Sequence, residues 1–227
     1  YVELMEESAI HLAALINEVL DIAKIESGSV KIEKKEFDIE ESIEKIAEVF
    51  TVQVSRKEID LICRIDGKIP KKILGDSGKL GQVFINLVGN AVKFTDKGGT
   101  IIISAENIEE SEESVKIKFA VKDNGIGIKK EEQNQIFSPF VQGEGGYTRE
   151  YKGTGLGLTI TKMLVQVMNG DITLKSSYGE GSEFEFTLEF SKSIENKERV
   201  ASGKNILKGI TVAVCDKNRD ARKAVTE

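Results

Sequence analysis

Glycine and the polar residues beside it mark where this sequence could do chemistry. Thirteen of its 21 glycines lie between Gly98 and Gly181, in the clusters Gly125/Gly127, Gly143/Gly145/Gly146, Gly153/Gly155/Gly157 and Gly179/Gly181. Backbone this rich in glycine can approach a ligand closely and present its N–H groups. Any one cluster taken alone also reads as a tight turn. Asn86, Asn90 and Lys93 are spaced i, i+4 and i+7, so they share one face of a helix and make it polar on an otherwise apolar element. Asp123 follows the alternating run Val115–Val121 and opens Asp123-Asn124-Gly125-Ile126-Gly127-Ile128. Asp-Asn-Gly is a common turn sequence, yet a turn accounts for neither the second glycine nor the flanking isoleucines. Gly75-Asp76-Ser77-Gly78-Lys79-Leu80 has neither the spacing nor the hydroxyl residue of a P-loop, and Gly153-Thr154-Gly155-Leu156-Gly157 is not the dinucleotide fingerprint. A nucleotide bound here would be held by another scheme.

Composition narrows the classes. The chain has 227 residues, 32 Lys or Arg, 38 Asp or Glu, a net charge of −6 and 40% hydrophobic residues. That is too apolar for a disordered tail, and the length allows one full domain plus fragments. A nucleic-acid binder needs a basic face, so nucleic acid is not an expected partner. Cys63 and Cys215 stand far apart with no CxxC spacing, which suggests neither a disulfide framework nor a zinc site and fits a reducing, cytoplasmic setting. No run of about 18 apolar residues is present to enter a bilayer. If the parent protein is membrane-bound, this is expected to be its soluble part.

The elements that must position these groups follow from periodicity. Tyr1, Met5, Ser8, Leu12, Leu15, Val19 and Ile22 alternate steps of four and three, the seam of a bundle or coiled-coil helix that Gly28 ends. A lone helix of that length is marginal in water, so the seam requires a partner helix. Val30, Ile32 and Phe37 predict a strand. A helix over 39–57 carries Ile39, Ile43, Ile46, Ala47 and Phe50 on one face. Leu61, Cys63 and Ile65 predict another strand, and a helix follows between Asp76 and Lys93. Strands at 100–106 and 115–122, a helix at 155–169, and strands at 171–177 and 183–190 complete the domain. The expected fold is a two-layer α/β (α+β) sandwich: a mixed, largely antiparallel sheet with helices on one face, preceded by one long helix. The expected divisions are a helix at 1–28, the main domain at 29–190, a polar linker at 191–206, and the opening strand of a further domain at 207–227.

Four segments in order resemble the ATP-binding fold shared by sensor histidine kinases, gyrase-type topoisomerases, Hsp90 and MutL. Asn86-Leu87-Val88-Gly89-Asn90-Ala91-Val92-Lys93-Phe94 resembles the N box and Asp123–Ile128 the G1 box. Ile136-Phe137-Ser138-Pro139-Phe140 resembles the F box, and Gly153-Thr154-Gly155-Leu156-Gly157-Leu158 the G2 box. A weaker G3-like turn, Gly179-Glu180-Gly181-Ser182, precedes the last strand. The histidine kinase branch is the nearest likeness.

The resemblance implies binding of ATP with Mg²⁺. Asn90 would hold the metal through a hard amide oxygen, Lys93 would meet phosphate, and Phe94 would lie against adenine. Asp123 would select adenine through its amino group, with Gly125, Gly127 and Ile128 beside the base. Phe137 of the F box is a cofactor-binding candidate, and the segment Gln142–Lys152 resembles a lid from which Arg149 and Lys152 would reach phosphate. Gly153, Thr154, Gly155, Leu156, Gly157 and Leu158 would bring backbone amides and a helix N-terminus to the triphosphate. Asn86, Lys93 and Lys152 are the catalytic candidates. ATP-hydrolysing relatives carry a Glu where Asn86 stands, and an amide cannot act as a base, so transfer to a protein nucleophile is favoured over hydrolysis.

The only histidine, His11, is followed by Leu12-Ala13-Ala14 and does not match the family's acceptor motif. Leu15–Gly28 resembles the end of the second helix of a dimerisation and phosphotransfer hairpin. That implies a homodimer through residues 1–28 and an acceptor helix lying outside this sequence. Leu207–Lys217 resembles the first strand of a receiver domain, although Cys215-Asp216 supplies one acid where receivers place two. The function implied is the kinase core of a hybrid sensor histidine kinase. The alternatives are a catalytically silent nucleotide-binding or dimerising module and an ATPase of the same fold.

Overall fold

The computed structural model of the chain describes residues 2–141 and 154–193, with several side chains in the first fourteen residues left undescribed. The elements are α1 (Val2–Glu26), β1 (Lys35–Phe37), α2 (Ile39–Arg56), β2 (Asp60–Ile65), β3 (Ile73–Gly75), α3 (Ser77–Phe94), β4 (Thr100–Glu110), β5 (Ser114–Asp123), α4 (Lys130–Gln133), α5 (Gly157–Val167), β6 (Asp171–Ser177) and β7 (Gly181–Lys192).

Local chemistry fixes the two long helices of the domain. Asp38 caps α2 by accepting from the Glu41 amide at 3.3 Å, and Asp76 caps α3 by accepting from the Lys79 amide at 2.9 Å. The second oxygen of Asp76 takes the Glu33 amide at 3.0 Å, tying the segment before β1 to the start of α3. Each helix buries one stripe: Ile39, Ile43, Ile46, Phe50 and Val54 on α2, and Leu80, Val83, Phe84, Leu87, Val88, Ala91 and Val92 on α3.

The strands form one seven-stranded sheet in the order β1-β3-β7-β5-β4-β2, with β6 also paired to β7. All ladders are antiparallel except β2–β4, which is parallel, so the sheet is mixed as expected. The central strands alternate in burial, broken in β5 only at Ala120, which is buried between Phe119 and Val121. Val115, Ile117, Phe119 and Val121 of β5 and Phe184, Phe186, Leu188 and Phe190 of β7 are buried, while most of the residues between them, such as Lys116, Lys118, Glu185 and Glu189, carry charge. Phe84 of α3 meets Phe119 and Phe186 with ring centroids 5.6 and 5.4 Å away, and those two stack at 5.1 Å. Truncating such a side chain to Ala costs about 3–5 kcal/mol. The other face carries ion pairs such as Lys118–Glu106 at 2.6 Å and Lys175–Glu185. This is the two-layer sandwich.

Four details differ from expectation. Val30 and Ile32 lie before β1, whose regular pairing is confined to Lys35–Phe37 opposite Ile73–Gly75. The three-residue strand β3 is an addition, because so short a run after Pro70 has no period of its own. Ser191 and Lys192 fall within the expected linker but continue β7, where they pair with Leu74 and Ile73. Finally, α1 packs on the domain through Ile22 and Ile25, and Asp21 accepts from Gln82 at 3.2 Å, whereas Met5, Leu12, Ile16, Val19 and Leu20 are exposed. Gly28 does end α1 in a left-handed cap, with φ of 66° and Ser29 N–H donating to the Lys24 carbonyl at 3.1 Å. Residues 194–227, including the receiver-like strand, the side chain of His11 and the segment 142–153 lie outside the described residues.

Candidate functional site

The N box is the C-terminal half of α3, and its polar residues lie beside the buried stripe. Asn86 is half-buried, and its side-chain nitrogen donates to the Gly157 carbonyl at 3.2 Å and stands 3.4 Å from Thr161 Oγ1. Gly157 opens α5, so Asn86 fastens the N box to G2 across 71 residues of sequence. One turn on, Asn90 is half-buried too. Lys93 extends its ammonium over the Phe94 ring, 4.9 Å from the centroid, and burial holds its pKa below the ordinary lysine range. A lysine made partly dry in this way is poised to gain from a nearby anion.

At the end of α3 the chain meets G1. The Phe94 carbonyl accepts the Ile126 amide at 3.3 Å, and a Cβ on Gly125 would overlap that same carbonyl. Only glycine lets the two backbones come so close. Asp123, at the end of β5, is buried, and its Oδ1 accepts the Gly125 amide at 2.9 Å. Burial raises its pKa, opposed by the Gly125 and Ser182 backbone N–H groups. G1 is held on its other side by the turn between β6 and β7. The Gly179 amide donates to the Ile126 carbonyl at 2.7 Å and the Ile128 amide to Ser176 Oγ at 2.8 Å. Gly127, at φ 65°, has its missing Cβ replaced by the Ser177 carbonyl. The G3-like glycines therefore buttress G1.

The F box and G2 are joined in the same manner. Thr159 Oγ1 donates to the Phe137 carbonyl at 3.1 Å, and the Phe140 amide to the Gly155 carbonyl at 3.1 Å. The Phe137 ring packs edge-on to Phe184 at 6.3 Å, and Lys162 lies 5.5 Å from its centroid, so this side chain anchors the F box to the core. Thr154 Oγ1 accepts the Leu156 amide at 3.2 Å. Leu156 is fully buried and Leu158 packs against the core, which leaves their backbone as what they can offer a ligand. Among the described residues, no side chain caps the N-terminus of α5 at Leu156. Arg149, Lys152 and Gly153 lie outside the described residues.

Asn86, Phe94, Asp123, Gly125, Gly127, Phe137, Gly155 and Gly157 thus belong to one stitched assembly, and Asn90 and Lys93 stand on its helix α3. Sequence reasoning missed several of its supports. Asn124 Oδ1 accepts the Thr100 amide at 2.7 Å, and Gln133 Nε2 donates to the carbonyls of Ile128 and Ser176 at 2.8 and 3.0 Å. Thr95 is buried, with its hydroxyl unpartnered among the described residues. Asn124 stands inside G1 and its turn chemistry is a usable signal; Gln133 carries none.

This arrangement matches the family described as histidine kinase-, DNA gyrase B-, and HSP90-like ATPase over residues 75–192. The chain belongs to this family. Among ATPase-family relatives, Hybrid signal transduction histidine kinase L of Dictyostelium discoideum is 42% identical over 193 residues, spanning 85% of this chain and 11% of that protein. Sensor protein GacS of Pseudomonas syringae pv. syringae is 35% identical over 226 residues, 99% of this chain and 24% of that protein. The chain therefore spans no more than about a quarter of either relative. The crystal structure of full-length ShkA in complex with AMPPNP shares the ATPase-family fold with a TM-score of 0.75 and 32% identity, covering 85% of this chain and 39% of that one.

Proposed function

We propose that this chain is the ATP-binding core of a hybrid two-component sensor histidine kinase, transferring the γ-phosphoryl group of ATP to a histidine on a helical hairpin outside this sequence. The observation that carries the reading is the hydrogen-bonded stitching of N box, G1 and G2 beside a buried carboxylate and a helix N-terminus that no described side chain caps.

The chemistry follows from the residues. The Asp123 carboxylate accepts from the exocyclic amino group of adenine, whereas guanine presents an oxo group there and is repelled. Gly125 and Gly127 lie where any side chain would collide with the Phe94 and Ser177 carbonyls, so glycine there lets G1 pack tightly on its neighbours, and its place beside the base is assigned on the sequence likeness. The amides of the first turn of α5, which no described side chain caps, and the partly dry Lys93 favour the triphosphate. Lys93, with Asn86, is assigned to the transfer step, and Arg149 and Lys152 to the phosphates, on the sequence likeness.

For Mg²⁺, the donor set fits an ion that is shared with phosphate. No group of three or more His, Cys, Asp or Glu side chains converges among the described residues, and Asn90 offers a single hard oxygen. Mg²⁺ held there would take its remaining oxygens from phosphate and water and would supply charge neutralisation. Asn86 donates its amide to Gly157 and has no basic atom to activate water, which supports transfer over hydrolysis. A neutral imidazole, with pKa near ~6.5, needs mainly in-line placement to attack.

The relatives' names support a hybrid arrangement, in which the phosphoryl group passes onward to a receiver domain. The exposed stripe Met5, Leu12, Ile16, Val19 and Leu20 of α1 supports homodimerisation through residues 1–28. No helix among the described residues is long and apolar enough to cross a membrane; a cytoplasmic location is proposed. The test is a thermal shift. ATP or ADP with Mg²⁺ raises the melting temperature and Asp123→Asn abolishes the rise; no shift in the parent chain contradicts the reading.

A further inference from the structure

Helix α3 ends without a glycine. Its C-cap, Thr95, is extended at φ −91° and ψ 131°, so the chain turns away sharply and leaves its last carbonyls to find partners elsewhere. They find Lys57, the C-cap residue of α2, more than thirty positions earlier. Its ammonium donates to the carbonyls of Val92 at 2.8 Å, Lys93 at 3.0 Å and Thr95 at 3.1 Å. Three N–H donors thus meet three carbonyls, and a cation sits at the negative end of the helix dipole. The fourth carbonyl of the group, on Phe94, goes to the Ile126 amide of G1. Lys57 is itself held: its amide donates to the Gln53 carbonyl at 3.2 Å and its carbonyl accepts the Gly98 amide at 2.9 Å.

We infer that Lys57 is a positioning residue for the nucleotide site, clamping the end of α3 so that Lys93, Phe94 and, through the Phe94 carbonyl, the G1 loop stand where the ligand requires them. The inference rests on the ATP-binding reading above. Lys57 touches none of the residues assigned to the base or phosphates through its own side chain except by their backbone. Its effect therefore passes through α3. A methionine would keep the stem and lose all three hydrogen bonds. An arginine would keep the charge and several donors.

The experiment measures ADP affinity with Mg²⁺ and amide hydrogen exchange in four forms of the 227-residue chain: parent, Lys57→Met, Lys57→Arg and Phe190→Leu. Phe190 is a core residue of β7 packed against Phe37 and Phe119, and its variant reports general destabilisation. Lys57→Met is expected to weaken ADP binding by on the order of tenfold and to speed exchange at the Ile126 amide. Lys57→Arg recovers most of both, and Phe190→Leu moves neither. Parent-like affinity and exchange in Lys57→Met, or the same losses in Phe190→Leu at equal drop in melting temperature, overturn the inference. If the parent binds no ADP, the ATP reading falls, and the positioning role of Lys57 falls with it even where the exchange at Ile126 changes.

Discussion

The main-chain carbonyl of Phe94 accepts the amide of Ile126 at 3.3 Å, and this single bond joins the end of the N-box helix to the G1 loop. It exists because residue 125 has no side chain. A Cβ there would overlap the Phe94 carbonyl and crowd Asp123 Oδ1. Gly125→Ala should therefore push G1 off α3, costing about 1–3 kcal/mol of stability and removing most ATP affinity. Denaturant unfolding together with calorimetric titration checks both; an unchanged affinity would show that the close approach does not matter to binding.

Asp123 illustrates how a site can cost stability. Burial raises its folded-state pKa above the ordinary value of 3.8, with the Gly125 and Ser182 amides opposing. A raised folded-state pKa means the contribution to stability is fully present below 3.8 and is lost as pH rises through the folded-state value. Asp123→Asn removes the buried charge and can keep the acceptor for Gly125. It should stabilise the ligand-free chain near pH 7, flatten the fall in stability on the acid side of neutrality, and abolish selection of adenine. Melting curves from pH 3 to pH 8, with and without ATP, read all three.

Lys93 should behave in a related way. Its ammonium is partly desolvated, which lowers its pKa and disfavours the charged form in the ligand-free chain. Lys93→Met should leave stability unchanged or slightly improved. It should weaken ATP binding by about 10–100-fold, the range of a charge-assisted hydrogen bond, and leave adenosine binding unaltered. Equal losses for ATP and adenosine would place Lys93 away from the phosphates.

Much of this is legible in the sequence, for identifiable reasons. Helices α2 and α3 announce themselves through Asp38 and Asp76 at their starts and through apolar stripes of helical period. Strands β4, β5 and β7 are long and largely alternate in burial, and the glycines of G1 and G2 stand where backbone meets backbone. The rest is what no local pattern encodes. The parallel pairing of β2 with β4 depends on the return of the chain through β3 and α3. The strand β3 is three residues long and is made by its partners β1 and β7. Ser191 and Lys192 are polar and resemble a linker until Ile73 and Leu74 lie beside them. Lys57 reads as an ordinary surface lysine, since its acceptors are 35 to 38 residues away.

The central claim, a kinase core acting on a histidine outside this sequence, is tested most directly by phosphoryl transfer. The chain is incubated with γ-labelled ATP and Mg²⁺ together with the parent protein's helical hairpin supplied separately. The account predicts that acid-labile label appears on the hairpin, that Asp123→Asn or Asn90→Ala prevents it, and that little free phosphate is released. Steady release of labelled phosphate with none on the hairpin would contradict it.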